Sequence, residues 1–335
     1  MTSVLERLNQ ALHQAMAADQ RLFLLGEDLL DPYGGAFKVS RGLSSAYPSR
    51  VLTTPISEAG IVGLATGMAL RGLRPVVEIM FGDFVTLIAD QVVNHAAKFR
   101  WMYNDQVRVP LVIRTPMGGR RGYGPTHSQS LEKMFLGVPG LTVLAADCLH
   151  DPAGLLLAAI AADDPVLFIE HKLLYPCPML TPGEGDLQDF EIEQSGTGTP
   201  ASLLRISGGR KPVLTIACYG YNFELARRTA LDLLYEHEVF TEIVLFSQLS
   251  PFSLEPLLGS LQRTGRLLTV EEGGYTLGWG AEIVALAAEA GIPGLKVRRL
   301  AALDLPIANS PALEEQILPS QQAVTQAALD LASAG

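Results

Sequence analysis

The sequence is poor in cysteine and contains no long apolar run, and each absence excludes a class of protein. Its 335 residues include three cysteines, far apart and without Cys-x-x-Cys spacing. This argues against a disulfide framework and predicts buried free thiols in a reducing compartment. No stretch reaches the roughly 18 uninterrupted apolar residues of a membrane span. The N-terminal segment contains acids and no continuous apolar core, unlike a signal peptide, so we expect a cytoplasmic protein.

Charge is also scarce. Only 18% of the residues are charged, below the usual quarter or so, and the formal net charge is −10. The adjacent pair Arg120 and Arg121 is too small for a phosphate-backbone footprint, so a nucleic-acid-binding surface is not expected. With 48% hydrophobic residues, the chain is expected to bury apolar surface against other subunits as well as within itself.

Several widespread catalytic motifs are missing. The sequence has no GxGxxG after its first predicted strand, no Walker phosphate loop, no GxSxG elbow and no HExxH. A dehydrogenase with its own nicotinamide site is therefore not expected.

Apolar strand-like segments alternate with helical patterns along most of the chain. This alternation predicts an α/β fold with a parallel sheet covered on both faces. Residues 1–176 are predicted to form the first domain, in which residues 83–104 form one long helix. Residues 177–211 are turn-rich and weakly periodic, which predicts an interdomain linker. Residues 212–335 are predicted to form a second, smaller α/β domain.

Three side chains follow predicted strands and are the first candidates for a site. Glu58 follows "RVLTTPI", Phe84 follows "PVVEIMF", and the loop after "LVIRTP" ends in His127. Ligands gather outside the carboxyl ends of parallel strands, so these residues are expected to converge on one edge. Each also has a structural interpretation. Glu58 would be an acid stabilised by the helix dipole, Phe84 a core ring and His127 a capping or core histidine.

The helix after Glu58 is rich in glycine. Glycine costs about 1 kcal/mol relative to alanine inside a helix, so several glycines indicate close approach of another backbone. Gly63 and Gly67 lie one turn apart and predict a smooth groove. A helix of the same domain or of a partner subunit would fill it, and the spacing leaves both alternatives open.

Segments spread over nearly the whole chain resemble, in order, the beta subunit of thiamine-diphosphate-dependent 2-oxo acid dehydrogenases. They include "PISEAGIVGLATGMALRG", "DQVVNHAAKFRWM", "GPTHSQSLEKMFLGVPGLTV" and "EEGGYTLGWGAEI". That group contains the pyruvate, branched-chain 2-oxo acid and acetoin dehydrogenases and belongs with the transketolases. The resemblance implies a pyrimidine-binding domain followed by a transketolase-type C-terminal domain. It also implies an alpha2beta2 heterotetramer with the cofactor at the alpha–beta interface.

The resemblance further implies roles for individual residues. Glu58 corresponds to the glutamate that hydrogen-bonds the ring nitrogen of the cofactor's aminopyrimidine and promotes loss of the thiazolium proton. Phe84 corresponds to an aromatic ring stacked on the aminopyrimidine, and Ile56 to another cofactor-binding position. His127 corresponds to the histidine beside the thiazolium, which steers transfer of the bound group to a lipoyl group.

Other residues carry broader expectations. Arg114 and the pair Arg120 and Arg121 are candidates to meet a substrate carboxylate or a partner's acids, with a solvated loop face as the alternative. The resemblance also implies a structural potassium ion held by backbone carbonyls near Ala159 and Ala162.

The sequence lacks the means to hold the charged end of the cofactor. The family binds the diphosphate through magnesium with a GDG motif followed downstream by an asparagine, and this chain has no GDG. The resemblance therefore predicts that an alpha subunit carries this motif and that the isolated chain is inactive.

Two enzymatic functions remain open at this level. In the first, an alpha2beta2 enzyme with two beta subunits decarboxylates a 2-oxo acid and passes the acyl group to a lipoyl domain, with a dihydrolipoyl acyltransferase as partner. In the second, a two-subunit transketolase- or acyloin-synthase-type transferase uses an aldehyde or another acceptor. The loop "RRGYGPTHSQ" resembles the stand-alone transketolases, and the linker is longer than in the family. A degenerate, non-enzymatic subunit would have lost Glu58 or His127, and both are present.

Overall fold

The computed structural model describes residues 2–195 and 200–333 and divides the chain into two compact units. The first unit combines Met1–Gly118 with Met134–Met179, and the second combines Gly119–Lys133 with Leu180–Gly335. Each unit has its own sheet flanked by helices, as predicted for an α/β protein.

The first unit begins with a helix whose start is encoded locally. Ser3 caps helix α1 (Val4–Ala18) in a capping box with Glu6, which satisfies backbone donors at the helix start. Its apolar face is buried and packs against helix α5. The remaining elements of this unit are β1 (Leu22–Gly26), α2 (Leu43–Ala46), β2 (Val51–Thr53), α3 (Glu58–Leu70), β3 (Arg74–Glu78), α4 (Phe99–Met102), β4 (Val112–Met117), β5 (Thr142–Ala145), α5 (Pro152–Ala161) and β6 (Val166–His171).

The strands of this unit are all parallel. They lie in the order β5-β6-β4-β3-β1-β2. Every residue of β4 and β6 is buried, because a central parallel strand is covered on both faces. The predicted parallel sheet is confirmed.

The single long helix predicted over residues 83–104 is wrong. The segment consists of a 3₁₀ helix (Gly82–Ile88), a π-helical stretch (Gln91–Ala96) and the short α4. β-Branched residues are frequent here and disfavour a regular α-helix. Apolar periodicity indicated helical turns without specifying their type.

The second unit contains a six-stranded mixed sheet in the order β13-β12-β9-β10-β8-β7. Its elements are β7 (Phe190–Ser195), β8 (Ala201–Ile206), β9 (Leu214–Tyr219), α6 (Asn222–His237), β10 (Thr241–Phe246), β11 (Gln248–Ser250), α7 (Glu255–Thr264), β12 (Arg266–Gly274), α8 (Trp279–Glu289), β13 (Lys296–Ala302), α9 (Pro311–Ile317) and α10 (Gln321–Ser333). Strand β11 lies outside that sheet.

The segment predicted as a linker, residues 177–211, has more structure than expected. Strands β7 and β8 pair antiparallel, and β8 pairs antiparallel with β10. The apolar residues of β7, Phe190 and Ile192, alternate with glutamates over too few positions to give a clear period. Residues 196–199 lie outside the described residues. The domain limits 1–176 and 212–335 remain a prediction.

Among residues 2–195 and 200–333, no helix combines the length and apolar character needed to span a bilayer.

Candidate active site

Three neighbouring parallel strands carry the predicted site residues of the first unit to one edge of its sheet. Glu27 follows β1, Glu58 begins α3 after β2, and Phe84 lies in the 3₁₀ helix after β3. Since β1 pairs with both β2 and β3, the carboxyl ends of the three strands are adjacent. Helix α3 also packs against the 3₁₀ helix. The expected convergence of Glu58 and Phe84 on one edge is therefore found within this unit.

Glu58 is almost fully buried, with 6% of its surface exposed. It is the first residue of α3, where the positive end of the helix dipole stabilises a carboxylate. Glu27 is also buried, and its pKa is raised, first by burial and then by the negative charges of Glu58 and Asp28. Burial and the neighbouring negative charges thus favour the protonated form of Glu27.

Apolar side chains lie beside these acids. Ile56, in the turn before α3, is 84% exposed. Phe84 is half-buried. A buried acid, an open aliphatic side chain and an aromatic ring together fit a flat, nitrogen-containing aromatic ligand.

Phe84 belongs to a cluster of aromatic side chains. Phe84 meets Phe81 edge to face with ring centroids 5.9 Å apart, and Phe81 meets Phe37 in the same manner at 5.6 Å. Phe37 stacks on Tyr175 at 5.3 Å, and the Lys172 ammonium lies 5.3 Å from the Phe81 ring centroid. Sequence reasoning missed this cluster because its members come from separate loops.

Arg114 lies in the interior of the unit, with only 1% of its surface exposed. Its guanidinium donates to both oxygens of Glu170, at 2.9 and 2.6 Å, and to Glu78. Tyr175 donates a further hydrogen bond to Glu170 at 2.7 Å, and Ser40 donates to Glu78 at 2.9 Å. Burial raises the pKa of Glu78 while the Arg114 charge opposes that shift. The substrate role predicted for Arg114 is corrected to a structural one, because its donors are engaged in a buried ion-pair cluster.

His127 and Arg121 belong to the second unit. His127 is half-buried, its backbone N–H donates to the Gly124 carbonyl at 3.3 Å, and its Nδ1 lies 3.0 Å from Thr126 Oγ1. Arg121 is exposed, with its guanidinium carbon 5.7 Å from the Tyr123 ring centroid.

The carbonyls predicted to hold potassium have a cationic partner in the chain itself. Arg74 Nη1 donates to the Ile160 and Ala162 carbonyls at 2.8 and 3.0 Å, and Nη2 donates to Asp163 at 3.2 Å. A helix C-terminus favours a cation, and here a guanidinium supplies it. The Ala159 carbonyl accepts from the Ala162 N–H at 3.3 Å. Potassium near Ala159 and Ala162 stays a prediction.

The glycine groove of α3 is open in this chain. A methyl group added at Gly67 would meet nothing within 4 Å, and one at Gly63 would meet only Gln91 Cγ at 4.0 Å. Leu64, on the same face, is 55% exposed. Within residues 2–195 and 200–333 nothing fills the groove at Gly67, whereas the π-helical stretch reaches Gly63 through Gln91. Filling of the groove by a partner subunit stays a prediction. In the same part of the chain, no group of three or more His, Cys, Asp or Glu residues is arranged to hold a metal ion.

Comparison with known proteins identifies the two domains of the chain. Residues 2–178 match the transketolase pyrimidine-binding domain, and residues 207–324 match the transketolase C-terminal domain. The chain is 38% identical over 329 residues to pyruvate dehydrogenase E1 component subunit beta-2, mitochondrial, of Oryza sativa subsp. japonica, covering 97% of this chain and 85% of that protein. It is 34% identical to the beta subunit of acetoin:2,6-dichlorophenolindophenol oxidoreductase of Cupriavidus necator, covering 96% and 94%. A solved structure described as a split gene transketolase, inactive beta4 tetramer, shares the fold with a TM-score of 0.71 at 20% identity, covering 98% of each chain.

Proposed function

The chain belongs to the transketolase family, among the beta subunits of thiamine-diphosphate-dependent 2-oxo acid dehydrogenases, and we propose that it acts with an alpha subunit to decarboxylate a 2-oxo acid and pass the acyl group to a lipoyl domain. The family inferred from the sequence is confirmed. The substrate, the acyl acceptor and the site residues belong to the proposal.

The observation that carries the proposal is the buried acid at the edge of the first sheet. Glu58 is 6% exposed and follows a strand, and its charge contributes to the raised pKa of a second buried acid, Glu27. Ile56 and Phe84 provide apolar surface at the same edge. These groups fit an aminopyrimidine, which needs a carboxylate at one ring nitrogen and apolar contacts on its faces.

Thiamine diphosphate, when bound, would supply a nucleophilic carbon and an electron-accepting thiazolium ring for the decarboxylation of a 2-oxo acid. In the proposed mechanism, Glu58 holds a proton at the ring nitrogen of the aminopyrimidine. Its burial makes this hydrogen bond stronger than it would be in water. Phe84 and Ile56 orient the ring and exclude water from it. His127 orients the acyl group during transfer.

The partner subunits form part of the same proposal. An alpha subunit with a GDG motif would hold the diphosphate and magnesium, and its contact would cover the open face of α3 at Gly63 and Gly67. A second beta subunit and a dihydrolipoyl acyltransferase complete the proposed assembly. The names of the relatives as beta subunits support an alpha partner.

A second function is favoured by one observation. A relative at 34% identity is named for acetoin, an acyloin, with an artificial electron acceptor. A two-subunit transferase or acyloin-handling enzyme, with an aldehyde as partner of the acyl group, is therefore the alternative.

The assembled enzyme distinguishes these functions. The chain would be co-expressed with its alpha subunit and supplied with thiamine diphosphate, magnesium and a panel of 2-oxo acids, with acetoin tested separately. Reduction of 2,6-dichlorophenolindophenol by a 2-oxo acid, together with acylation of a lipoyl domain, supports the dehydrogenase. Turnover of acetoin or carboligation to an aldehyde, without lipoyl acylation, supports the alternative. An assembled enzyme that binds the cofactor but turns over neither class would contradict both.

A further inference from the structure

The stem of the loop that carries His127 lies against two buried carboxylates of the second unit. The Gly119 N–H donates to Glu272 Oε1 at 2.6 Å. The Arg120 N–H donates to Glu314 Oε1 at 2.7 Å, and the Gly122 N–H donates to Glu314 Oε2 at 3.2 Å. Three N–H groups within four residues thus point at two acids, which is the arrangement of a backbone nest around an anion.

The two acids depend on these donors. Glu314 is 3% exposed and Glu272 is 4% exposed. A buried carboxylate that loses its hydrogen-bond donors is strongly disfavoured. Glu272 also accepts from Arg120 Nε at 3.2 Å, and Arg120 Nη2 donates to the Pro319 carbonyl at 2.5 Å. Opening the stem would therefore leave buried charge without its partners.

The backbone of the stem is one that a free chain rarely adopts. Arg120, which has a Cβ atom, lies at φ +67°, and Gly122 lies at φ +66°. A Cβ atom at Gly119 would approach Leu318 Cδ1 to 2.7 Å and Glu314 Oε1 to 2.9 Å. The strain at Arg120 persists only where surrounding contacts determine it, and the acids supply those contacts.

The other end of the loop is also fixed to the second unit. Buried Glu132 accepts a hydrogen bond from the Tyr219 hydroxyl. Lys133 Nζ donates to the Thr276 carbonyl at 2.8 Å. His127 therefore lies on a segment anchored at both ends, with the nest as its first anchor.

We propose that Glu314 and Glu272 are positioning residues that set the conformation of the His127 loop. Glu314 contributes most, because it accepts two of the three N–H groups. The loop's role in catalysis rests on the proposed function, whereas the effect of Glu314 on the loop's conformation does not. Glu314 acts through backbone N–H groups and does not itself touch the substrate.

The test compares Glu314→Gln with Glu315→Gln, since Glu315 is the adjacent, exposed glutamate. Both Glu314 oxygens accept N–H groups, so the amide nitrogen of glutamine would oppose a donor. In the full chain, amide exchange at Arg120 and Gly122 should rise at least about tenfold in Glu314→Gln. It should stay at the wild-type rate in Glu315→Gln. Equal exchange in both variants would overturn the proposal without bearing on the enzyme's activity.

A second readout separates positioning from general stability. In the assembled enzyme, Glu314→Gln should lower kcat about tenfold or more, because a displaced loop misplaces His127. The KM for thiamine diphosphate should stay near the wild-type value, and the unpaired N–H should lower the thermal midpoint by only about 2–4 °C. A lowered thermal midpoint with unchanged kcat would show a purely structural role and would overturn the positioning claim. Faster amide exchange in Glu314→Gln, together with no 2-oxo acid turnover by the assembled wild-type enzyme, would support the positioning role of Glu314 and contradict only the proposed function.

Discussion

At the scale of single residues, burial separates structural from exposed charged side chains that the sequence does not distinguish. Glu58 and Glu27 are both buried at a strand edge, and their mutual repulsion contributes to the raised pKa of Glu27. Arg114 and Arg121 were equivalent substrate candidates in the sequence. In the structure, Arg114 is bound by two carboxylates and Arg121 is exposed.

Replacing Glu58 tests the proposed proton-holding role. Glu58→Gln preserves the size of the side chain and removes its negative charge. We expect kcat of the assembled enzyme to fall about 100-fold or more, the scale of an acid–base contribution, while the fold is kept. Steady-state kinetics and circular dichroism provide the measurement. Full activity in this variant would rule out the mechanism proposed for Glu58.

The two arginines form a matched pair. Arg114→Met leaves two buried carboxylates without their cation, and we expect the free energy of unfolding to fall by about 3 kcal/mol or more. Arg121→Met removes an exposed charge and should change stability by no more than about 0.5 kcal/mol. Urea unfolding measures both. Equal effects of the two substitutions would contradict the structural role of the buried cluster.

At the scale of elements, two features lead to predictions: the exposed glycine face of helix α3, and the buried carboxylate at the corner where β12 meets the start of α8. Helix α3 presents Gly63 and Gly67 on an open face. At the corner, Glu271 of β12 accepts the N–H groups of Trp279 and Gly280 at the start of α8, at 2.7 and 2.8 Å. The corner is buried, so the charge of Glu271 is costly despite those donors.

The open face of α3 predicts separate effects on folding and assembly. Gly67→Leu should fold as well as the wild type, because the position has free space and glycine is a weak helix former. It should weaken association with the alpha subunit by at least about tenfold, because the groove would be filled. Thermal unfolding of the free chain and calorimetric titration of the alpha subunit give the two values. Unchanged affinity would show that the partner binds elsewhere.

Glu271 predicts a pH dependence of stability. Burial, its largest cause, raises the pKa of this carboxyl from 4.5 to about 7. The folded state therefore binds more protons than the unfolded state between those values, and its stability falls as pH rises through this window. The full loss is about 3 kcal/mol. Unfolding of Glu271→Gln across pH 4.5 to 7 should be less pH-dependent than that of the exposed control Glu282→Gln, and equal slopes would contradict it.

At the scale of the whole molecule, the chain has two units, each with a sheet of its own, and belongs to a family of beta subunits. The loop with His127 packs with the second unit, although it follows a strand of the first. In the proposed function the chain supplies the groups around the aminopyrimidine, and its sequence has no GDG motif for the diphosphate.

Because the two ends of the cofactor are proposed to bind to different subunits, the isolated chain should be inactive. Alone, it should bind thiamine diphosphate and magnesium weakly and show no 2-oxo acid turnover, because the charged end of the cofactor has no metal site. Adding the alpha subunit should restore both. Calorimetry and a decarboxylation assay measure these effects, and turnover by the chain alone would contradict the shared site.

The sequence by itself determined the α/β class, the parallel sheet and the family, because continuous apolar strands, helical periods and family segments are local signals. It also predicted that Glu58 and Phe84 lie at one edge of the sheet, because each follows a strand and the carboxyl ends of parallel strands lie at the same edge. Only the tertiary structure decided that Arg114 is buried between Glu78 and Glu170, because the ion pairs join neighbouring strands of the sheet that lie far apart in the sequence. Only the tertiary structure joined the His127 loop to Glu272 and Glu314, because those hydrogen bonds link residues more than 150 positions apart. The turn-rich segment before Leu214 became strands for the same reason, as antiparallel pairing satisfies its backbone through a partner that local sequence does not specify.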